Sequence, residues 1–266
     1  KISQYAPHFL GYYILPYIFY ILLKINDHDT EDKKIQIKEG ILLGIGLAFI
    51  FMQGSLNLYS ITLSFVIFFI IFNYKYWLFG IIGITLNFLI CSVKLLPASL
   101  AYGTKGNHHY WEWGGYANLE IFFKNIIYPG HMLKFPEFSS HEWSLYITLP
   151  GLLLIMYFAF WAPFLNEKWI EHKLWKKFLI PTLILFIISF RHLKHYFIPH
   201  WIPLLNSESL TARYMIIPLL VITILAIINL QSFLNYYKYS IKIKYFMITL
   251  LGLIFMLLSN HSRLWR

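Results

Sequence analysis

The sequence predicts an all-α fold: a polytopic transmembrane helix bundle of about eight membrane segments, with an aromatic-rich outer loop. Three observations predict it. The first is composition. Of 266 residues, 58% are hydrophobic and only 13% charged, whereas a soluble domain of this size is nearer half apolar and a quarter charged. One globular core cannot absorb that excess, because its surface must still be covered. The second is patterning: several charge-free stretches run about 15 to 20 residues, close to the length that crosses roughly 30 Å of hydrocarbon. The third is where the charge falls. A formal net charge of +10 is scattered between apolar runs rather than gathered in one patch, which fits loop and headgroup anchors and excludes a nucleic-acid footprint.

Taken in order, the apolar runs place spans at roughly 8–23, 40–57, 59–73, 76–96, 144–165, 178–190, 214–231 and 245–259. The third, sixth and eighth are short for a full crossing and admit little tilt or partial re-entry. Pro16 and Pro181 fall inside spans, where neighbouring helices accommodate kinks. Residues 1–266 read as a single transmembrane domain, and no internal repeat is evident.

Alternating the spans yields two sets of connections. One set, 24–38, 74–76, 166–177 and 232–244, holds twelve lysines in short loops. The other set and the two chain ends hold the remaining ten basic residues over longer loops. The bias places the first set in the cytoplasm and the long loops 97–143 and 191–213 outside. Loop 97–143 carries Tyr110, Trp111, Trp113, Tyr116, Tyr128 and Trp143, with Gly114-Gly115 and Pro129-Gly130 as turn signals. Its stretch Leu119–Ile127 reads as a short amphipathic helix on the membrane surface. Such a loop either binds a ligand or rests among headgroups, where Trp and Tyr belong in any case.

The outer carboxylates are Glu112, Glu120, Glu137, Glu142 and Glu208, and the outer cations include Lys94, Lys105, Arg191, Lys194 and Arg213. Lys94 and Arg213 each sit at the outer end of a long apolar run. A cation there either snorkels to the interface or holds a phosphate, which the planar fork of Arg does well. The segment Ile202–Tyr214 reads as a membrane re-entry whose Asn206 and Ser207 can cap the next helix, near Arg213. The histidines His108, His109, His192, His195 and His200 lack the repeated spacing of a di-iron ligand set. No zinc-type Cys/His spacing, P-loop, nucleophile elbow or dinucleotide fingerprint is present, so neither metal nor cofactor is expected. Cys91, the only cysteine, excludes an intrachain disulfide.

Several motifs then recur in a telling order. Gly11–Leu23 with Pro16 precedes a charged loop and Gly44–Leu58, which ends in Gln53-Gly54-Ser55-Leu56-Asn57. Lys94-Leu95-Leu96-Pro97-Ala98 and Tyr128-Pro129-Gly130 follow. Glu142-Trp143-Ser144-Leu145-Tyr146-Ile147 leads into Pro150-Gly151, and Ile202-Pro203-Leu204-Leu205 leads to Ala212-Arg213-Tyr214. This order resembles the YfhO-like bacterial membrane proteins of the GT-C glycosyltransferase class, over most of residues 8–231. The resemblance implies a sugar carried on a polyprenyl phosphate and transferred, with inversion, on the outer face of the cytoplasmic membrane. It implies a carboxylate base, with Glu142 as candidate, and substrate contacts from Lys94, Arg213, Glu208, Trp111 and Trp113. The class places its catalytic acid in a first outer loop that nothing in this sequence matches: either the chain is a fragment and that loop preceded Lys1, or the chain is not catalytic. A non-catalytic membrane subunit of a larger complex and a transporter are the alternatives. Membrane lipid, and other membrane subunits, are the partners expected.

Overall fold

The computed structural model describes residues 11–27, 32–102, 116, 118–127, 147–161, 172–190, 193 and 211–236. Among these, regular structure is helical, apart from one isolated bridge between Tyr116 and Phe190. The helices are α1 (Leu15–Asp27), α2 (Lys33–Met52), α3 (Leu56–Phe72), α4 (Trp77–Tyr102), α5 (Leu119–Ile127), α6 (Leu149–Met156), α7 (His172–Ile188) and α8 (Ile216–Tyr236). Short 3-10 turns at Gly11–Ile14, Tyr74–Tyr76 and Thr211–Met215 lead into α1, α4 and α8. A π-helical turn, Tyr157–Trp161, continues α6.

Three of these helical stretches are long and apolar enough to cross a membrane: Lys33–Met52, Tyr74–Pro97 and Thr211–Asn235. Leu56–Phe72, Leu149–Trp161 and Lys177–Ile188 are apolar but shorter. Of the eight membrane segments expected, the described residues hold three helices of crossing length and several shorter ones, the third and sixth segments among the short ones as expected. Residues 245–259 lie outside the described set.

Several boundaries differ from the sequence reading. α7 begins at His172 rather than near residue 178, and α8 runs to Tyr236 rather than ending near residue 231. Two further differences have a clear physical reason. The second span was expected from residue 40, but α2 begins at Lys33. The Asp32 carboxylate accepts hydrogen bonds from Lys34 N at 2.9 Å and Ile35 N at 3.4 Å, satisfying amides that a helix start leaves open. Lys33, Lys34 and Lys38 are thus helical rather than loop residues. The fourth span was expected to end near Leu96, yet α4 runs through Pro97 to Tyr102. A proline removes one backbone hydrogen bond without obliging the helix to stop. A helix spans Leu119–Ile127, the bounds expected from the sequence.

The chain divides into two compact units. The first comprises residues 1–121 and 172–218, the second 122–171 and 219–266. In the first, α2 and α4 pack at backbone distance. A Cβ on Gly40 would meet Phe79 O at 2.8 Å, and one on Gly44 would meet Gly83 O at 2.7 Å. Small residues four apart permit this approach, the usual way helices associate where lipid removes any hydrophobic drive. An aromatic ladder joins α1, α3 and α7: Phe19 to Phe65 at 5.4 Å, Phe65 to Phe178 at 6.2 Å and Phe69 to Phe178 at 5.1 Å between centroids. In the second unit, Ile126 O accepts from Ile147 N at 2.9 Å. Buried Asn229 donates its Nδ2 to Phe158 O at 2.8 Å, at the π-helical turn.

Candidate functional site

The first unit has two chemically distinct ends. At one, α7 finishes at Ile188, the turn Thr211–Met215 opens α8, and a residue of loop 97–143 packs between their termini. Tyr116 N donates to Ser189 O at 3.3 Å, and its ring stands 6.0 Å from that of Phe190. Thr211 Oγ1 donates to the same Ser189 carbonyl at 3.4 Å. Tyr116 is fully buried, and that burial pushes its phenol pKa well above the usual tyrosine range. One carbonyl therefore holds a residue of each long loop, Tyr116 of 97–143 and Thr211 of 191–213.

Arg213 lies in this junction, two residues beyond Thr211. It is half-buried in a turn whose neighbours Thr211, Ala212, Tyr214 and Met215 are all buried. Lys94 is exposed on α4, with its Nζ 5.6 Å from the centroid of Phe51 on α2. Behind Phe51 runs a buried polar chain. Phe51 contacts Tyr59 edge-on at 5.0 Å, Asn87 Nδ2 donates to the Tyr59 hydroxyl at 2.7 Å, and Cys91 Sγ donates to Asn87 Oδ1 at 3.4 Å. Asn87 and Cys91 are one helical turn apart on α4, so they present one face to α3. The chain satisfies polar groups that would otherwise be costly to bury.

Glu142, Glu208, Trp111 and Trp113 lie outside the described residues, as do His108, His109, His192, His195 and His200. Among the described residues, no group of three or more His, Cys, Asp or Glu side chains is placed to hold a metal.

The opposite end carries lysines and a polar network that the sequence reading overlooked. Glu39 on α2 is 1% exposed, and its Oε1 accepts from Lys24 Nζ of α1 at 2.7 Å. The hydrogen bond to Glu39 holds the Lys24 ammonium above the ordinary lysine range. One turn earlier on α2, buried Gln36 donates to Lys75 O and accepts from Phe79 N, both at 3.3 Å, which ties α2 to the start of α4. Lys177 of α7 donates to the Tyr76 hydroxyl, and Asn73 Nδ2 donates to Lys177 O at 3.1 Å. Four helices are thus knotted together at the lysine-rich end. The signal in the sequence was Asp32. Once it caps the helix at Lys33, Glu39 falls two turns inside α2 and is no longer a loop residue.

No family model, no curated protein and no solved structure matches this chain.

Proposed function

We propose that this chain is an integral membrane protein of about eight membrane segments, with loops 97–143 and 191–213 outside the cytoplasmic membrane. We further propose that it acts there as a GT-C-like glycosyltransferase on a polyprenyl-phosphate-linked sugar. One observation carries most of this reading: Tyr116, Ser189 and Thr211 bring both long loops to one point, with Arg213 two residues away. A half-buried guanidinium beside two loops is suited to a phosphate, because its fork binds two oxygens at once.

In this reading Glu142 takes the proton of the acceptor hydroxyl while its oxygen attacks the anomeric carbon. The bond to the lipid phosphate breaks, and Arg213 and Lys94 stabilise the departing charge. The test is binding of a polyprenyl phosphate to the purified chain in nanodiscs. Arg213→Ala should weaken binding roughly ten- to a hundredfold, as expected for loss of a hydrogen bond to a charged group. Arg213→Lys should restore it only in part. Unchanged affinity in Arg213→Ala would remove the phosphate site. Tight binding without sugar transfer would favour the non-catalytic subunit instead.

A transporter is the second reading, and Glu39 supports it. A carboxylate inside the stretch Lys33–Met52, buried and ion-paired, is the kind of group that ion pathways use. Loss of substrate flux in Glu39→Gln, with Arg213→Ala unaffected, would select this reading over the transferase.

A further inference from the structure

The pairing of Glu39 with Lys24 is lopsided. Glu39 Oε1 accepts from Lys24 Nζ at 2.7 Å, but Glu39 Oε2 is buried with no hydrogen-bond donor among the described residues. The partners also differ in burial, the Lys24 side chain being 32% exposed and that of Glu39 only 2%. One charge of the pair reaches water and the other does not.

That asymmetry governs what happens when the pair opens. The Lys24 ammonium can swing to water on its aliphatic stem and keep its charge. A second resting place adjoins it on α1, where the Tyr20 ring centroid is 5.9 Å from Nζ. Glu39 has no such exit, because it lies within a helix long and apolar enough to cross a membrane. A lone carboxylate held there is neutralised rather than left charged.

The number of oxygens on offer selects what neutralises it. A metal ion asks for several ligand oxygens at once, and among the described residues no three His, Cys, Asp or Glu side chains converge. A proton needs one acceptor atom, which Oε2 supplies. The other titratable side chains described on the elements packed against α2 do not compete for it. Lys33, Lys34 and Lys38 of α2 are exposed, and Asp32 accepts from helix amides. From α1, Tyr17 and Tyr20 act on the Lys24 ammonium. At the start of α4, Tyr74 and Lys75 are exposed, and the Tyr76 hydroxyl accepts from Lys177. Tyr59 of α3 is bound by Asn87 and lies against Phe51, at the other end of α2. The turn Gly11–Ile14 meets α2 at that same end, beside Ile50.

We propose that Glu39 is a proton-binding site. When Lys24 turns away, Glu39 Oε2 takes a proton from the water that reaches Lys24. The carboxylate becomes a neutral carboxylic acid, and the ammonium keeps its own protons, so each opening takes up one proton. This deepens the transporter reading by naming the proton as its ion, and it rests on that reading only for what the proton drives.

The experiment labels the whole chain, in phosphatidylcholine nanodiscs, with dicyclohexylcarbodiimide. This apolar reagent adds to a protonated carboxyl buried in lipid, with no leaving group, and peptide mass spectrometry reads the adduct. Glu39 should carry the adduct at acid pH and lose it as the pH rises, while exposed Asp32 stays unlabelled. The adduct should be absent in Glu39→Gln. Lys24→Met removes the charge that favours the ionised carboxylate, so it should label faster than wild type at the same pH. Sodium at fixed pH should give no protection. An unlabelled Glu39, equal labelling of Glu39 and Asp32, or protection by sodium would overturn the proposal. Should Lys24→Met fail to fold, the pH response and the sodium arm of the wild-type chain decide. A pH-dependent adduct in a chain that carries no substrate supports the proton site and removes the transporter reading.

Discussion

Glu39 shows how much of this molecule depends on single residues that look ordinary in sequence. Its carboxylate is 1% exposed, and one oxygen is held by Lys24 at 2.7 Å. Removing one partner of such a pair leaves the other buried without compensation, whereas removing both can be nearly neutral. Lys24→Met should therefore lower the melting temperature more than Glu39→Gln does, and Lys24→Met/Glu39→Leu should recover most of the loss. Alkali offers an independent check. Because Glu39 raises the Lys24 pKa in the folded state, the pair's contribution is fully present below the ordinary lysine pKa of about 10.4. It is lost as pH rises through the higher folded value. Burial of Tyr116 acts in the same direction, so stability should fall above about pH 10, and Lys24→Met/Glu39→Leu should flatten that fall. An unchanged alkaline slope would mean that the pair contributes nothing.

At the scale of elements, glycine and threonine set the local geometry for opposite reasons. Gly44 is glycine because of what lies beside it: an added Cβ would meet the Gly83 carbonyl at 2.7 Å and Leu86 Cβ at 3.0 Å. Gly54 is glycine because of its backbone, with φ at +85° and nothing within 4 Å of an added Cβ. Gly44→Leu should force α2 and α4 apart and cost about 1–3 kcal/mol or more. Gly54→Ala should cost about 1–2 kcal/mol, from the left-handed backbone alone. Thermal unfolding of the two variants should rank them so. Thr148 is the reverse case. It adopts φ 76° and ψ 155°, a region held almost only by glycine, while its Oγ1 accepts from Gly151 N at 3.3 Å to cap α6. Thr148→Gly should raise stability by about 1 kcal/mol, since strain of roughly 1–3 kcal/mol is released and a glycine cap loses only a few tenths. Thr148→Val keeps the strain, loses the cap and should be less stable than wild type. These elements were unevenly legible. Leu119–Ile127 was readable because its apolar positions recur at helical spacing. The start of α2 was missed because hydropathy weighs Lys33, Lys34 and Lys38 as loop, while the Asp32 cap acts through geometry that hydropathy does not register.

At the scale of the whole chain, the helical class was legible because apolar content and charge-free runs are properties of the sequence itself. The pairings of Lys24 with buried Glu39 and of buried Gln36 with the start of α4 were not, because they depend on helix register. The candidate outer site was legible only as residue types at helix ends. Lys94 and Arg213 were named, but the contacts of Tyr116 with Ser189 and Phe190 join positions some seventy residues apart, and no local pattern announces them. Those contacts lead to the topological prediction. Tyr116 belongs to loop 97–143, Ser189 precedes loop 191–213 and Thr211 lies within it, so both loops are expected to emerge on one face of a bilayer. The turn containing Lys75 lies at the other end of α4 and is expected on the opposite face. Cys91 is fully buried, so it should give little background with a membrane-impermeant maleimide. Ser139→Cys and Ser207→Cys should then label together in vesicles of one orientation, while Lys75→Cys labels only in inverted vesicles. Should Ser139→Cys and Ser207→Cys react from opposite faces, the two loops could not share a surface. A phosphate site built from Arg213 and the aromatic loop would then lose its physical basis.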